Sequence, residues 1–331
     1  MAMSSTALVA VGIFGLIFVS FTGQYVDGAL EVGFYNGKCL AVDVETTVAG
    51  VVRAMFLKDL TIAAALVRMQ FHDCFVNGCD ASILLDGSSS EKTAPPNLSV
   101  RGYNVIDAAK AAVETVCPGV VSCADIIVMA TREAVYLSGG GRYNVQTGRR
   151  DGLVSLASNV DLPAPSISVT QSVAAFARKG LDATDMVYLL GGHTIGVAHC
   201  SLFQDRLYNF QNTGKPDPSM DSSLLIKLRG ICPQNSTGSN TAKLDQNDQN
   251  RFSSLIFDNS FYKQILARRG VLQIDQELAF DPISRSTVTT IANSYGFSTK
   301  FGQAMVKLGA VGVLTETQGE IRKSCRAVNN P

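Results

Sequence analysis

The sequence has no tryptophan, only three histidines and no excess of charge, with 28 basic and 28 acidic residues. A balanced charge argues against a nucleic-acid partner, which would favour a basic face. No internal repeat and no long low-complexity linker divides the 331 residues, and a hydrophobic content of 46% is enough to bury a large core. We therefore expect one large domain or two lobes.

Hydrophobic runs long enough to span a bilayer comfortably are also missing. The apolar run over residues 7–21 is shorter than that and suits the hydrophobic region of a secretory signal peptide. Its flank carries no Lys or Arg, so a buried helix or an anchor is the alternative interpretation. Gly28 and Ala29 are plausible cleavage points. We expect residues 1–28 to be a signal peptide and residues 29–331 to be a secreted domain without stable membrane insertion.

Cysteine is plentiful, but it does not occur as C-x-x-C. With three histidines as the only additional soft ligands, a zinc site is disfavoured, although zinc is the alternative use of the cysteines. Eight cysteines behind a secretory signal predict four disulfides, whose pairing the count leaves open. Asn235-Ser236-Thr237 is a glycosylation sequon in a polar loop, consistent with secretion. Asn97-Leu98-Ser99 also matches the sequon.

The hydrophobic periodicity is mostly helical. A first amphipathic helix begins near Asp43, and a second runs from Thr61 to about Cys74. Further helices are expected over residues 103–116, 123–138, 168–179, 183–191, 222–229, 259–269, 284–294 and 298–308. Strand signals are confined to short pieces such as residues 142–150. The predicted fold class is all-α with minor short β pieces.

Arg68 and His72 are four residues apart near the end of the second helix, so both project from one face. A base beside a fixed cation suits the breaking of a polar bond as charge separates. The alternative is a capping histidine beside a solvated arginine. The pair alone does not decide between them.

The turn after this helix crowds oxygen ligands together. Asp73, Asn77, Asp80 and Ser82 lie within ten positions, and Gly78 permits a tight turn. Hard oxygen donors in a secreted protein indicate Ca²⁺. The spacing is not that of an EF-hand, because the twelfth position is a leucine rather than a glutamate.

His193 lies at the end of another apolar helix, between glycines and a threonine, in "GGHTIG". A lone histidine so placed is more often a core residue than a ligand. Its context therefore has to decide its role.

That context is a set of motifs: "RMQFHDCFVNGCDASILLD", "VSCADII", "GRRDG", "GGHTIG", "DRLYNF", "FDNSFY" and "DQEL". In this order and combination, from residue 34 to residue 325, the chain resembles the secretory plant (class III) haem peroxidases. The resemblance implies a two-lobed helical fold with haem b between a distal and a proximal lobe. It also implies a monomer that reduces H₂O₂ to water and oxidises phenolic or other small aromatic donors in two one-electron steps, in the cell wall or the vacuole.

The resemblance also assigns roles. On the proximal side, His193 would be the axial ligand of the haem iron, and Asp275 would accept its other ring N–H. On the distal side, His72 would be the acid–base group and Arg68 the charge stabiliser. The remaining implied positions are Phe71 as an apolar wall, Asn97 holding the tautomer of His72, Glu91 behind Asn97, and Pro163 at the donor-binding backbone.

Disulfide pairs and two calcium sites are implied in the same way. The pairs are Cys39–Cys117, Cys74–Cys79, Cys123–Cys325 and Cys200–Cys232. The distal calcium would be held by Asp73, Val76, Gly78, Asp80 and Ser82. The proximal calcium would be held by Thr194, Asn250, Ser253, Ile256 and Asp258. His199 matches no functional position and is expected to be structural.

The chain departs from the family pattern at several of these places. The family's usual proximal aspartate is Asn250 here, which predicts a weakened calcium site unless Asp245 or Asp248 restores the charge. Tyr143 stands where a tryptophan is usual. The aromatic residues that often frame the donor site are replaced by Pro95, Ser166, Ile167 and Leu202.

A second hypothesis from another class is a non-enzymatic, calcium-clamped, disulfide-bonded extracellular binding protein. It requires the disulfides and the acidic turn. It does not require Arg68, His72, His193 and Asp275 to occur together, so the peroxidase is favoured.

Overall fold

The computed structural model describes residues 30–39, 42–234 and 239–329. The expected signal peptide and the Asn235 sequon therefore lie outside the described residues. Within them the chain forms twelve α-helices, in this order: α1 Val44–Lys58, α2 Ile62–Cys74, α3 Tyr103–Val116, α4 Cys123–Leu137, α5 Val169–Ala177, α6 Ala183–Leu190, α7 Gln204–Tyr208, α8 Ser222–Ile231, α9 Ser260–Leu266, α10 Gln273–Leu278, α11 Arg285–Ala292 and α12 Phe297–Gly309.

The ten helices expected from the sequence are confirmed, and with them the all-α class. Asp43 caps α1, since its side chain accepts a hydrogen bond from the backbone N–H of Thr46. The short helices α7 and α10 were not expected. Five or six residues complete too few turns to show a helical hydrophobic period.

The sheet is not where the sequence predicted it. β1 Val197–His199 pairs antiparallel with β2 Thr241–Lys243. The expectation of a strand over residues 142–150 was wrong, because this stretch makes only isolated bridges. Backbone N–H groups of Gly148 and Arg149 donate to the buried Asp125 carboxylate instead of to a strand.

The helices form two groups with a helix between them. α1, α2, α3 and α4 pack on one another, while α5, α6, α9, α10 and α11 form the second group. α12 packs against both α6 and α2, so it joins the groups. The His193 segment, a short 3₁₀ helix over Gly191–Thr194, also contacts α2. The faces that meet at this boundary carry the residues singled out by the sequence.

All eight cysteines are paired, in the pattern implied by the resemblance: Cys39–Cys117, Cys74–Cys79, Cys123–Cys325 and Cys200–Cys232. The longest loop, closed by Cys123–Cys325, fixes the carboxyl-terminal segment to the start of α4. In that segment the buried Arg322 donates to the carbonyls of Ala81 and Gly152. The end of the chain therefore supports the turn that follows α2.

Across the part of the chain that the structure describes, no helix combines the length and the apolar character needed to cross a membrane.

Candidate functional site

One face of α2 is less buried than the rest of the helix. Ala64, Val67, Arg68 and Phe71 are half-buried, whereas the other residues of α2 are buried. The spacing of these four residues places them on a single face. This face therefore borders a cleft rather than packed core, and it is mostly apolar with one guanidinium group.

His72 is held beside that face by a chain of hydrogen bonds. Its Nδ1 lies 2.6 Å from Asn97 Oδ1, and Asn97 Nδ2 donates to the main-chain oxygen of Glu91 at 2.8 Å. Because the Asn97 amide nitrogen is engaged there, its oxygen faces the histidine, which puts the ring proton on Nδ1. The other ring nitrogen, Nε2, is then the basic one. Asn97, the acceptor residue of its sequon, is accordingly buried.

Arg68 is fixed on the Nε2 side of this histidine. Its Nε donates to His72 Nε2 at 3.2 Å, and its Nη2 donates to the Pro96 carbonyl at 2.8 Å. Burial, and secondly the positive charge of Arg68, lowers the pKa of His72 to about 4. His72 is therefore a neutral base at the pH of most biological compartments. The alternative of a capping histidine with a solvated arginine does not describe this pair.

His193 faces the same boundary from the second helix group. Its Nδ1 lies 2.8 Å from Asp275 Oδ1, and Asp275 itself is fully buried with its Oδ2 unpaired. Burial lowers the pKa of His193, but the Asp275 carboxylate outweighs it and raises the pKa overall. The side chain keeps 30% of its surface accessible, and Nε2 has no hydrogen-bond partner among the described residues. That nitrogen is free to bind a ligand in the cleft.

The two sides of the cleft come close at one edge. A Cβ added to Gly192 would lie 3.3 Å from Val67 Cγ1, and one added to Gly196 would lie 2.9 Å from the Ala64 Cβ. At Gly196, whose φ is +91°, a larger residue would clash with α2, and at Gly192 the Val67 side chain would have to move slightly. The structure thus brings together the two histidines that the sequence separates by more than a hundred positions.

The position of Asp275 depends on a residue whose role the sequence did not reveal. Arg206, fully buried on α7, forms an ion pair with Asp217 and donates from Nη1 to the carbonyls of residues 270, 271 and 272. These carbonyls lie just before α10, which carries Asp275. Ile274, the residue immediately before Asp275, donates its N–H to the Pro165 carbonyl at 3.0 Å. Pro165 is therefore bonded directly to the helix that carries Asp275, two positions along the chain from Pro163.

The turn after α2 is an oxygen-rich site with unpaired atoms. Asp73 Oδ1, Ser82 Oγ and Glu91 Oε2 are buried without a hydrogen-bond partner in the described chain. Burial, followed by the charges of Asp80 and Glu91, raises the pKa of Asp73 well above its ordinary value. Burial also raises the pKa of Glu91 to about 7. A hard cation would satisfy these oxygens and remove the repulsion.

A second group of oxygens surrounds the residue after His193. Thr194 is fully buried, and its Oγ1 donates to Asp258 Oδ1 at 3.4 Å. Ser253 is buried nearby, whereas Ile256 is at the surface. Asn250 Oδ1 accepts from the backbone N–H of Phe252 at 3.0 Å, as a local turn contact.

The structure adds Asp245 to this second group. Asp245 is fully buried, its Oδ2 is unpaired, and its main-chain oxygen accepts from Ser253 Oγ at 3.2 Å. Burial raises the pKa of Asp245 to about 6, and the charge of Asp258 adds to the shift. The sequence signal was weak: an aspartate two residues after β2 and five positions before the expected Asn250, named only as one of two residues that could restore the charge.

Neither group contains three histidine, cysteine or carboxylate side chains arranged to hold a metal, within the ranges the structure describes. A cation at either place would depend on carbonyl and hydroxyl oxygens as well, which is the chemistry of Ca²⁺ rather than of zinc.

The expected donor region is polar and shallow. A cavity of about 560 Å³ is lined by Pro165, Ser166, Ser201, Leu202 and Tyr208, among others. Pro163 is half-buried in the irregular segment that leads into this cavity. Ser166 and Leu202 are exposed. A hydroxyl group and an aliphatic group therefore occupy the positions where the family often has aromatic rings, as the sequence predicted.

Comparison with known proteins extends over nearly the whole chain. A family model described as peroxidase matches residues 48–294. Peroxidase 60 of Arabidopsis thaliana is 54% identical over 323 residues, covering 96% of this chain and 96% of that protein. Peroxidase 57 of the same plant is 52% identical over 301 residues, covering 91% and 93%. Peroxidase N1 of Nicotiana tabacum is 45% identical over 305 residues, covering 90% of each. The likeness includes both helix groups and both sides of the cleft.

Proposed function

Since the chain belongs to the secretory plant peroxidase family and is a peroxidase, which reduces H₂O₂ at the expense of a reducing substrate, we propose that it is a haem enzyme that oxidises small phenols. The observation that carries the proposal is the pair of histidines across one cleft. His72 has a basic Nε2 beside Arg68, and His193 has a free Nε2 opposite a buried carboxylate. The hypothesis of a non-enzymatic binding protein is not supported.

The residues of the cleft fit a haem group. The free Nε2 of His193 suits an axial iron ligand, and Asp275 makes the imidazole more basic by accepting the Nδ1 proton. The apolar, half-buried face of α2 suits a flat hydrophobic cofactor. Haem, when bound, supplies the redox chemistry that the side chains lack.

His72 then transfers the proton between the two oxygens of H₂O₂. Its Nε2 takes a proton from H₂O₂ and returns it to the oxygen that leaves as water, because Asn97 keeps the ring proton on Nδ1. Arg68 places a fixed positive charge beside this transfer and stabilises the negative charge on the departing oxygen. Phe71, whose ring lies 5.8 Å from that of His72, provides an apolar wall. Glu91 acts through its main-chain oxygen, which holds Asn97.

We assign the phenolic donor to the edge of the cleft near Pro163. Its segment is tied by the Pro165 carbonyl to α10, so it has a fixed position relative to His193. Ser166 and Leu202 provide no stacking partner, and the Tyr208 ring that also lines the cavity is already covered by the Arg229 guanidinium at 5.1 Å. We therefore propose weak, permissive binding of small phenols.

Calcium is assigned to both oxygen groups. At the turn after α2, the ligands are Asp73, Val76 O, Gly78 O, Asp80 and Ser82. At the second place they are Thr194, Ser253, Ile256 O and Asp258, with Asp245 supplying the charge that Asn250 lacks. The buried, unpaired Oδ2 of Asp245 supports this addition.

Residues 1–28 are proposed as a cleaved signal peptide, residues 29–331 as the secreted peroxidase domain, and Asn235 as a glycosylation site. We further propose a monomer in the cell wall or the vacuole. The apolar run at the amino terminus, the sequon and the four disulfides support an oxidising, secretory destination.

One experiment tests the central proposal. Purified mature protein should show a Soret band that shifts on addition of H₂O₂ and returns as guaiacol, a small phenol, is oxidised. Protein that folds but shows no Soret band after supply of haem would overturn the haem proposal. A Soret band without oxidation of guaiacol or any other phenol would overturn the donor proposal.

A further inference from the structure

Tyr295 is unlike the other tyrosines of the described chain. It is fully exposed, with a relative accessibility of 107%, whereas Tyr136, the next most exposed, retains 42%. The ring of Tyr136 is covered by the Arg142 guanidinium at 4.5 Å, and a cation close to a ring makes loss of an electron less favourable. No cation covers the Tyr295 ring within the ranges the structure describes. It is the phenol most available for oxidation.

A line of rings leads from the active-site cleft towards this residue. His193 and Phe261 have ring centroids 6.1 Å apart, Phe261 and Tyr262 are 5.1 Å apart, and Tyr262 and Phe297 are 5.3 Å apart. Tyr295 is two residues before Phe297, and two residues span at most about 7 Å. The last ring of the aromatic series is therefore carried by a residue whose Cα lies within about 7 Å of the Cα of Tyr295.

The backbone beside Tyr295 is fixed to the same series. Asn259 Nδ2 donates to the carbonyl of Ser294, and Asn259 is the residue immediately before α9, which carries Phe261 and Tyr262. Phe297 begins α12 and is buried, with its ring stacked on Phe257 at 5.3 Å. The exposed side chain thus stands on a rigid support.

The difference between the surroundings of Tyr262 and those of Tyr295 determines on which of them a radical can remain. The Tyr262 hydroxyl is buried and donates to the Val187 carbonyl, which cannot take its proton. The Tyr295 hydroxyl lies in solvent, so its proton leaves to water when the electron is removed. An oxidising equivalent that reaches Tyr295 is therefore trapped there, whereas one on Tyr262 is not.

We propose that Tyr295 is a built-in phenolic donor, oxidised by the peroxidase reaction of its own chain and then coupled to the Tyr295 of a second copy. This rests on the proposed function. Each phenol loses one electron and one proton, and a carbon–carbon bond forms between the two rings. In total, two tyrosines and one H₂O₂ give one dityrosine and two molecules of water, so the step needs no other oxidant.

The test uses the complete haem-loaded enzyme with H₂O₂ and no added donor. The wild type should give a covalent dimer that resists reducing agents, dityrosine fluorescence, and a cross-linked peptide that contains residue 295. Tyr295→Phe should lose at least roughly nine-tenths of the dimer and keep its guaiacol oxidation rate. The matched control Tyr136→Phe should behave as the wild type. A dimer that persists in Tyr295→Phe, or that disappears in Tyr136→Phe, overturns the proposal.

A mixing experiment tests the route within one chain. His72→Ala protein keeps Tyr295 and reacts with H₂O₂ roughly 10²–10⁴-fold more slowly, so it is the inactive copy over an assay as short as the wild-type labelling time. It is mixed with active Tyr295→Phe protein, H₂O₂ and a nitroso spin trap. The trap should label residue 295 of the wild type at a yield independent of protein dilution, and it should leave the inactive copy unlabelled. Labelling of the inactive copy at the wild-type yield overturns the intramolecular route. Guaiacol oxidation is measured in the same samples. It should continue if only the intramolecular route is wrong, and it should be absent if the proposed function is wrong.

Discussion

Asn97 Oδ1 lies 2.6 Å from His72 Nδ1, and this one contact determines which nitrogen of His72 can accept a proton. The amide is itself fixed by the Glu91 main-chain oxygen, so it cannot rotate without losing a hydrogen bond. Nε2 therefore points towards Arg68 as the basic nitrogen. The distal side of the cleft is preorganised before any substrate binds.

Replacement of His72 by alanine should leave haem bound and slow the reaction with H₂O₂ by roughly 10²–10⁴-fold, the usual loss when a general acid–base group is removed. Stopped-flow absorbance at the Soret band measures the rate. His199→Ala is the matched control, because His199 is a half-buried residue of β1 without an assigned role, and its rate should equal the wild-type rate. Wild-type kinetics in His72→Ala would remove His72 from the mechanism.

The pH dependence of the peroxide reaction should reflect the lowered pKa of His72, which is about 4. The base acts when it is unprotonated, so the rate should stay constant from neutral pH down to about pH 5 and fall below it. Arg68→Leu removes a positive charge that lowers this pKa, so its acid limb should move to higher pH. The exposed Arg101, paired with Asp59, gives the control Arg101→Leu, which should not shift the limb. A wild-type midpoint near 6.5 would contradict the prediction.

His193→Ala should lose haem or bind it weakly, because the proposed axial ligand is absent. The ratio of Soret to protein absorbance measures the occupancy. Asp275→Asn should retain haem but change the spectrum of the ferrous form, since a neutral amide makes the imidazole less basic. Full occupancy with unchanged ligation in His193→Ala would show that another residue, most obviously His199, binds the iron.

Calcium affinity at the second oxygen group should depend on Asp245 more than on Asn250. Asp245→Asn removes a buried carboxylate and should lower the affinity for one of the two calcium ions by at least about tenfold, because calcium affinity depends on the number of charged ligands. Asp248→Asn is the control, since Asp248 is exposed and paired with Lys227 and Arg269. Chelator titration with measurement of bound calcium gives the affinities.

The same titration distinguishes the two aspartate positions. Asn250→Asp should change the affinity little if Asp245 already supplies the charge. Because Thr194 follows His193 directly, loss of this ion should also alter the haem spectrum. A large gain in calcium affinity in Asn250→Asp, together with no loss in Asp245→Asn, would show that Asp245 is not a ligand and that position 250 is.

An aromatic hydroxamic acid should bind weakly near Pro163, because Ser166 and Leu202 offer no ring to stack on. Leu202→Phe should tighten binding by about 2- to 10-fold, the equivalent of a stacking contact worth about 0.5–1.5 kcal/mol. Leu202→Ala, which removes bulk without adding a ring, is the matched control. Spectral titration measures both. Tight binding to the wild type would mean that affinity at this edge does not depend on stacking.

Much of the fold was accessible from the sequence because long helices carry a complete hydrophobic period. α7 and α10 were missed because they are too short to show one, and their positions depend on tertiary contacts such as those of Arg206. The strand at residues 142–150 was misassigned because its backbone bonds with a buried aspartate rather than a neighbouring strand. Local patterns carry no information about such distant partners.

The candidate site was predictable to a similar extent, and for a related reason. Motif order pointed to His72, Arg68, His193 and Asp275, and the structure brings each histidine to its expected neighbour. Asp245 was named only beside Asp248 as a residue that could restore the charge, because the family pattern placed the ligand at Asn250. Only burial and the unpaired oxygen distinguish a ligand from a turn residue in that loop. The roles of all these residues remain proposals that the mutations above test.

The buried Arg322 has a consequence for how the protein is made. It donates to the Ala81 carbonyl in the turn after α2, and the neighbouring Cys325 bonds to Cys123 at the start of α4. Ribosomes release a chain from its amino terminus, so α2 and its turn emerge long before these partners exist. The first helix group is completed only when residues 322–325 have been synthesised. For the native pair to form, the nascent chain must therefore keep Cys123 reduced, or hold it in an exchangeable disulfide, until Cys325 is available.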